Sequence, residues 1–226
     1  MAAAQDVTVH LLDSNDEELK RHSLYECFGY ELSMNGAPYV LSSGVWYEVV
    51  SSFVSQTNNA VKAVPDAPLK LPKWNQKDDE RVYNAECHNI NGLMNCDRQK
   101  LFYGGGMSLF EFCDLIHFQT KTLFFIKIAS KSAGMSHLVE QARRTSELLF
   151  STDDGYRKKL SALFKKHHPN ANRTWLQKRP KNGDWRFCLV SLGRTKEKLP
   201  FFAKCGLVKL ARDLNERGHP ISFTAV

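Results

Sequence analysis

Apolar residues recur at two different periods along this chain, and the changes of period mark out its elements. Val7-Thr8-Val9-His10-Leu11-Leu12 alternates like a short strand, and Ser14-Asn15-Asp16-Glu17-Glu18 then reads as a helix start, a polar cap followed by acids. From Tyr25 to Phe53 the pattern is β-like. Asn35-Gly36 and Ser43-Gly44 are turn dipeptides, with Tyr39-Val40-Leu41 and Val45-Trp46-Tyr47-Glu48-Val49-Val50 as strands between and after them, a small antiparallel meander. Ser51 to Val64 is helical, and Pro65, Pro68 and Pro72 then hold the chain in an extended connector. This divides the sequence into a β-rich N-terminal subdomain with its connector, 1–72, and an α/β core, 73–226.

The core opens on Asp78-Asp79-Glu80-Arg81, a helix start running to about Glu86 with acids in its first turn, where the helix dipole favours them. Gly92 to Asp97 reads as a strand, Tyr103 to Gly106 as a loop, Leu109 to Phe118 as a second strand and Leu123 to Ala129 as a third. Nearly continuous apolar strands of this kind are covered on both faces. Ser136 to Phe150 is an amphipathic helix with Leu138, Ala142, Thr145 and Leu149 along one side, and Tyr156 to Lys166 is a second. A strand over Arg186–Leu192, a helix from Gly206 to Arg217 stopped by Gly218, and an edge strand over Ile221–Thr224 complete the pattern. The fold class expected is α/β, a mixed central sheet flanked by helices with a small antiparallel meander before it.

Composition narrows the function classes. Hydrophobic residues at 42% and aromatics at 11% exclude a wholly disordered chain. No apolar run reaches the roughly 18 residues of a membrane span, since Lys127 interrupts the greasiest stretch, and the N-terminus lacks the charged start and apolar core of a secretory signal. The expected location is therefore cytoplasmic, without a membrane partner. The six cysteines form no C-x-x-C pair and read as free thiols; Cys87-His88 with Cys96 is at most a loose half of a metal site. Residues 1–120 hold 9 Lys and Arg against 16 Asp and Glu, whereas 121–226 hold 22 against 8. So lopsided a balance points to a polyanionic partner, nucleic acid, for the second half.

Several side chains carry candidate chemistry. Asp114 late in one strand and Lys127 late in the next bring a carboxylate and an ammonium to one end of a sheet, an arrangement suited to metal-assisted phosphodiester hydrolysis or to a buried ion pair. Glu111 lies three residues before Asp114, so strict alternation puts the two on opposite faces, and only a bulge or twist lets both reach one ion. Asp97, ending the preceding strand, is the alternative metal ligand. His137 and Gln141 share a helix face turned to the sheet, in reach of a substrate phosphate or of the lysine. Between Tyr156 and Phe187, Arg157, Lys158, Lys159, Lys165, Lys166, Arg173, Lys178, Arg179 and Lys181 alternate with Phe164, Trp175 and Trp185. Such a segment meets phosphates with its cations and bases with whichever tryptophans are exposed.

Tyr83-Asn84, Cys96-Asp97, Glu111-Phe112-Cys113-Asp114-Leu115-Ile116, Phe125-Ile126-Lys127, Ser136-His137-Leu138-Val139-Glu140-Gln141 and Leu199-Pro200-Phe201-Phe202-Ala203-Lys204 resemble, in that order, the second half of a sporadically distributed family of uncharacterised bacterial proteins associated with restriction and phage defence. The succession of acid, strand, strand with Asp, strand with Lys and helix with Gln also resembles the PD-(D/E)XK nuclease superfamily. That resemblance implies a restriction-endonuclease-like core and a Mg²⁺-dependent DNA endonuclease. Glu80 or Glu86 would be its first-helix acid, Asp114 the metal ligand, Lys127 the catalytic lysine and Gln141 the helix glutamine. Two residues before the lysine, where the superfamily carries Glu or Gln, stands Phe125. Either Glu111 or Asp97 has taken over the ligand role, or the fold is used for binding alone. Members of the bacterial family usually run longer at the N-terminus, which implies a larger partner subunit or a homo-oligomer. A binding or sensor module and a protein–protein adaptor are the rival expectations.

Overall fold

The computed structural model describes residues 7–88, 90, 92–103, 109–129 and 132–226, without the side chains of 132 and 133. Two compact units divide the chain, 1–57 and 58–226.

In the first unit β1 (Thr8–Leu12) and β2 (Glu18–Ser23) form a hairpin. The expected helix at Ser14–Glu18 is instead its turn: the Asp13 carboxylate accepts from Asn15 N at 2.7 Å and Glu17 N at 2.9 Å, so the polar cap residues close a loop rather than start a helix. β3 (Tyr30–Met34), β4 (Ala37–Ser42) and β5 (Val45–Glu48) make the antiparallel meander. Both of its turns have positive φ at their two central residues, Asn35 and Gly36, then Ser43 and Gly44, the geometry that matches strand twist in a tight hairpin. α1 (Ser51–Ala63) runs across the division between the units.

The proline connector lies within the second unit. Asp66 bridges to Phe223, and Lys196 Nζ donates to Val64 O at 2.6 Å and Asp66 Oδ1 at 2.8 Å. After it come α2 (Glu80–Cys87), β6 (Leu93–Asn95), β7 (Lys100–Phe102), β8 (Leu109–Glu111), β9 (Leu115–His117) and β10 (Thr122–Ile128). The rest is α3 (Ser132–Leu149), α4 (Gly155–His167), β11 (Arg186–Leu192), α5 (Phe201–Glu216) and β12 (Ile221–Ala225). The central sheet has the order β12-β11-β10-β9-β6: β6, β9 and β10 are antiparallel neighbours, and β10, β11 and β12 run parallel. The parallel step from β10 to β11 is the crossover that carries α3 and α4. The fold is thus α/β with a mixed sheet and an antiparallel β-rich N-terminal part.

Alternation along β10 sorts the core onto two faces. Leu123 and Phe125 pack with Leu138, Ala142 and Leu207 of the large helices, while Phe124 and Ile126 pack with Tyr83 and Cys87 of α2 and with Leu71 of the connector. All four β10 residues are essentially inaccessible, as strands covered on both faces should be. α3 starts one turn before the expected Ser136, and α5 at Phe201 rather than Gly206, directly after Pro200. The loop read at Gly104–Gly106 falls outside the described residues.

One departure from the sequence reading shapes the site. The stretch 109–118 is two strands in two sheets. β8 pairs with β7 in a separate ribbon, and β9 joins the central sheet. The break is at Phe112 and Cys113, which both pack into the core cluster that holds Leu123 and Phe125, whereas successive residues of one alternating strand face opposite sides.

Candidate metal centre

That break reverses the face argument for Glu111. With Phe112 and Cys113 both turned into the core, Glu111 and Asp114 come to the same side, and Asp97 joins them from the segment after β6. One carboxylate oxygen from each of the three lies within 4.8 Å of the others, the only cluster of three or more such metal-ligating side chains among the described residues.

Asp114 is fixed by the backbone on every side. Its N–H donates to Phe124 O at 2.9 Å, its carbonyl accepts from Cys96 N at 2.7 Å, and its Oδ2 accepts from Ile126 N at 2.7 Å. Burial pushes its carboxyl well above the usual carboxylate range. The Ile126 N–H acts in the opposite direction, and the charges of Asp97, Glu111 and Glu80 add to the rise. Glu111 is raised too, first by burial and then by Asp97, while Lys100, whose Nζ is 3.8 Å away, His137 and Lys127 pull it down.

Lys127 reaches this group from β10, and α2 holds it there. Asp79 caps the helix by accepting from Val82 N at 2.9 Å, which sets Glu80 in the first turn toward the strand end. Glu80 Oε2 accepts from Lys127 Nζ at 2.6 Å, and Glu80 Oε1 from Ile128 N at 2.9 Å. Glu86, the alternative first-helix acid, is exposed.

Beside the triad a cavity of about 220 Å³ separates β8 from α3 and is lined by Lys100, Phe110, Glu111, His137, Gln141 and Arg144. Gln141 Nε2 is buried with no hydrogen-bond partner among the described residues. Arg144 lies 4.1 Å over the Phe110 ring and donates to Tyr103 O at 3.2 Å. Lys100 and Arg144 were not singled out from the sequence. The apolar alternation of Lys100-Leu101-Phe102 and Leu109-Phe110-Glu111 around the glycine loop was the signal for the β7–β8 ribbon that brings Lys100 here.

The residues fit a hard divalent cation. Three carboxylates supply oxygen only, the ligand type such ions prefer; burial raises Glu111 and Asp114, and their crowding adds a part that a cation at their centre would relieve. Phe125 contributes nothing polar here. It is buried and stacked on Phe187 with centroids 6.0 Å apart and planes 3° from parallel.

The basic candidates differ in the partners they already have. Lys158 pairs with Asp154 at 2.9 Å, and Lys159 donates to Phe102 O at 3.1 Å. Lys165 and Lys166 are exposed at the end of α4, whose cap residue His168 touches Gln99, two residues beyond Asp97. Arg173 bonds carbonyls of its own loop, Pro169 O and Ala171 O. Arg179 donates to Phe150 O at 2.7 Å beyond the C-terminus of α3, and Lys178 and Lys181 are its neighbours. The N-terminal turn of α3 lies over Lys127, with Gly134 against it, and Thr145 nearer its C-terminus donates to Phe112 O beside Glu111. Arg157 is buried and donates to Leu149 O and Ser151 O. Trp185 is buried, and Trp175 packs on Phe112, Phe164 and Trp185, so these indoles are core rather than base platforms. All six cysteines are free thiols, four of them buried.

Fold and site together define an α/β protein with an acidic cluster and a lysine at one strand end of a mixed sheet. Within that class, the chain belongs to the family of unknown function DUF6119, which matches residues 1–226. No curated protein and no solved structure matches it. Among the described residues no helix is long and apolar enough to cross a membrane.

Proposed function

We propose that this protein is a metal-dependent phosphodiesterase acting on nucleic acid, DNA foremost, with a site organised like that of PD-(D/E)XK nucleases. The observation that carries the reading is the convergence of Asp97, Glu111 and Asp114 within 4.8 Å at the end of the sheet that also presents Lys127. The order of elements supports it: the acid-bearing helix α2, the strand β6 before Asp97, the strand β9 after Asp114, the strand β10 with Lys127 and the helix α3 with Gln141 follow one another as the resemblance to those nucleases implies. The excess of Lys and Arg in residues 121–226 supports a polyanionic substrate.

In this reading Asp97, Glu111 and Asp114 hold Mg²⁺ or Mn²⁺, with Glu111 and Asp97 replacing the ligand lost at Phe125. A bound divalent ion would polarise a phosphoryl oxygen and make a coordinated water more acidic. Lys127 orients the attacking water and meets charge developing on phosphate, and Glu80 positions Lys127 by holding Nζ and the backbone beside it. Gln141 donates its unpartnered amide into the cavity. The resemblance to defence-associated bacterial proteins adds the setting: a cytoplasmic antiviral nuclease working with a larger partner subunit or a second copy. Incubation of labelled single- and double-stranded DNA with Mg²⁺ or Mn²⁺ tests the proposal. Cleavage by the wild type that Asp114→Ala and Lys127→Ala abolish supports it, and cleavage that both variants leave unchanged overturns it.

Phe125 favours a second reading, a module that binds nucleic acid without cutting it. Its signature is salt-dependent DNA affinity that is indifferent to EDTA and to Asp114→Ala.

A further inference from the structure

The triad and Lys127 do not sit alone at this end of the sheet. On the far side of Lys127, at the C-terminal ends of the parallel strands β10 and β11, a second cavity of about 280 Å³ is lined by Trp74, Gln76, Ile128, Leu192, Gly193 and Arg194. The crevice outside the carboxyl ends of parallel strands is where open α/β sheets receive ligands. Ile128, which lines this cavity, donates its N–H to Glu80 Oε1, and the same carboxylate holds Lys127.

Its chemistry is that of a base-binding subsite. Ile128 and Leu192 give an apolar floor, and Trp74 is an aromatic wall whose ring is fixed by Nε1 donating to Asp78 O at 2.9 Å, two residues before Glu80. Gly193 has φ +93°, and a Cβ there would meet Trp74 Cζ3 at 3.0 Å, so glycine satisfies the backbone conformation and lets the indole approach the chain. Arg194 makes no ion pair among the described residues, which leaves its guanidinium for an anion or a ring face. The volume suits a single planar ring, being just below the range of about 300–1,000 Å³ typical of whole small-molecule sites.

Across the strand ends the order is therefore Trp74 and Arg194 beside β11, then Lys127 and Glu80 at β10, then the triad, then Lys100, His137 and Arg144 around the first cavity. We infer that the substrate is an unpaired nucleic-acid strand crossing this edge, with one base stacked on Trp74 beside the reacting phosphodiester and the neighbouring phosphate held by Arg194. Paired bases would keep their faces covered and leave the Trp74 cavity unused. The inference rests on the phosphodiesterase reading and names its substrate class.

Fluorescence anisotropy with a labelled oligo-dT strand and with a blunt duplex, in Ca²⁺ to hold the strand without turnover, tests it on the full chain. Wild type should bind the single strand at least tenfold more tightly than the duplex. Trp74→Ala and Arg194→Ala should each lose about tenfold of single-strand affinity, as expected for removal of one base-stacking contact and of one phosphate contact respectively, with duplex affinity unchanged. Trp74→Phe, which keeps a ring and protects folding, should retain most of it. Wild-type preference for duplex, or unchanged single-strand affinity in both Trp74→Ala and Arg194→Ala, overturns the inference while leaving the metal centre standing. Loss of the underlying reading has a different signature: calorimetry on the same wild-type sample shows no divalent-ion binding.

Discussion

Replacing Asp114 by Asn should stabilise the metal-free protein at neutral and alkaline pH and remove its stabilisation by metal. The substitution keeps the shape and an oxygen to accept from Ile126 N, a 2.7 Å bond in the wild type, and deletes only the charge. Burial and the neighbouring acids raise the Asp114 carboxyl in the folded protein. The folded state then binds the proton more tightly than the unfolded chain, whose Asp titrates near 3.9, so stability falls as pH rises from that value through the raised folded one. Asn has no such loss. In EDTA at pH 8 the variant should therefore melt above the wild type, by about 1.4 kcal/mol for each pH unit of displacement, and the two should converge near pH 4. Divalent ion at a hundred times its Kd stabilises the wild type by about 2.7 kcal/mol. For a unit of this size that is a rise in Tm of about 5–11 °C, which the variant should not show. Thermal unfolding followed by circular dichroism, with EDTA or Mn²⁺ at pH 4, 6 and 8, reads all of these. A variant that melts below the wild type at pH 8 in EDTA, or that gains as much from Mn²⁺, refutes the reasoning.

Glu80→Gln keeps an acceptor for Ile128 N but loosens Lys127, so cleavage should slow by about 10–100-fold while calorimetric metal affinity holds; a parallel fall in metal affinity would make Glu80 a ligand instead. Phe125→Glu, which places at this position the acid that PD-(D/E)XK nucleases carry two residues before their lysine, should cost about 3–5 kcal/mol in urea unfolding, because it breaks the stack with Phe187 and buries a charge. Near-native stability with faster cleavage would show that the position faces the metal. Trp185→Ala should cost a similar about 3–5 kcal/mol yet leave oligonucleotide affinity unchanged where the protein is folded, since the indole packs at 4.7 Å from Trp175 and 6.3 Å from Phe118; a selective loss of affinity would return it to the surface.

Most strands and helices were legible because their signals are local: Asn35-Gly36 and Ser43-Gly44 demand left-handed turn residues, and Pro65 and Gly218 stop helices. Ser14–Glu18 misled because the residues that cap helices also close hairpins, and what decides is the β2 partner downstream, a tertiary fact. The site was legible in its members and not in its geometry. Asp114, Lys127 and Asp97 stand near strand ends in the sequence, but the meeting of Glu111 with Asp114 depends on a break in alternation inside an unbroken apolar run. Phe112-Cys113 looks the same there whether one residue or both face the core. The choice of Glu80 over Glu86 followed from the Asp79 cap, which fixes the first turn against β10, while Glu86 stands on the exposed side of the helix. Charge counting located a basic half but not which of its cations already have partners: Arg157, Arg173 and Arg179 satisfy backbone carbonyls.

The most direct test of the central claim is a crystal structure of the wild-type chain soaked in Mn²⁺, with data collected for the manganese anomalous signal. The account predicts an anomalous peak coordinated by carboxylate oxygens of Asp97, Glu111 and Asp114 at about 2.1–2.3 Å, with Lys127 Nζ nearby but not ligating. A structure with no peak among these three carboxylates, from protein that still binds DNA in solution, would contradict it and leave a module that binds without cutting.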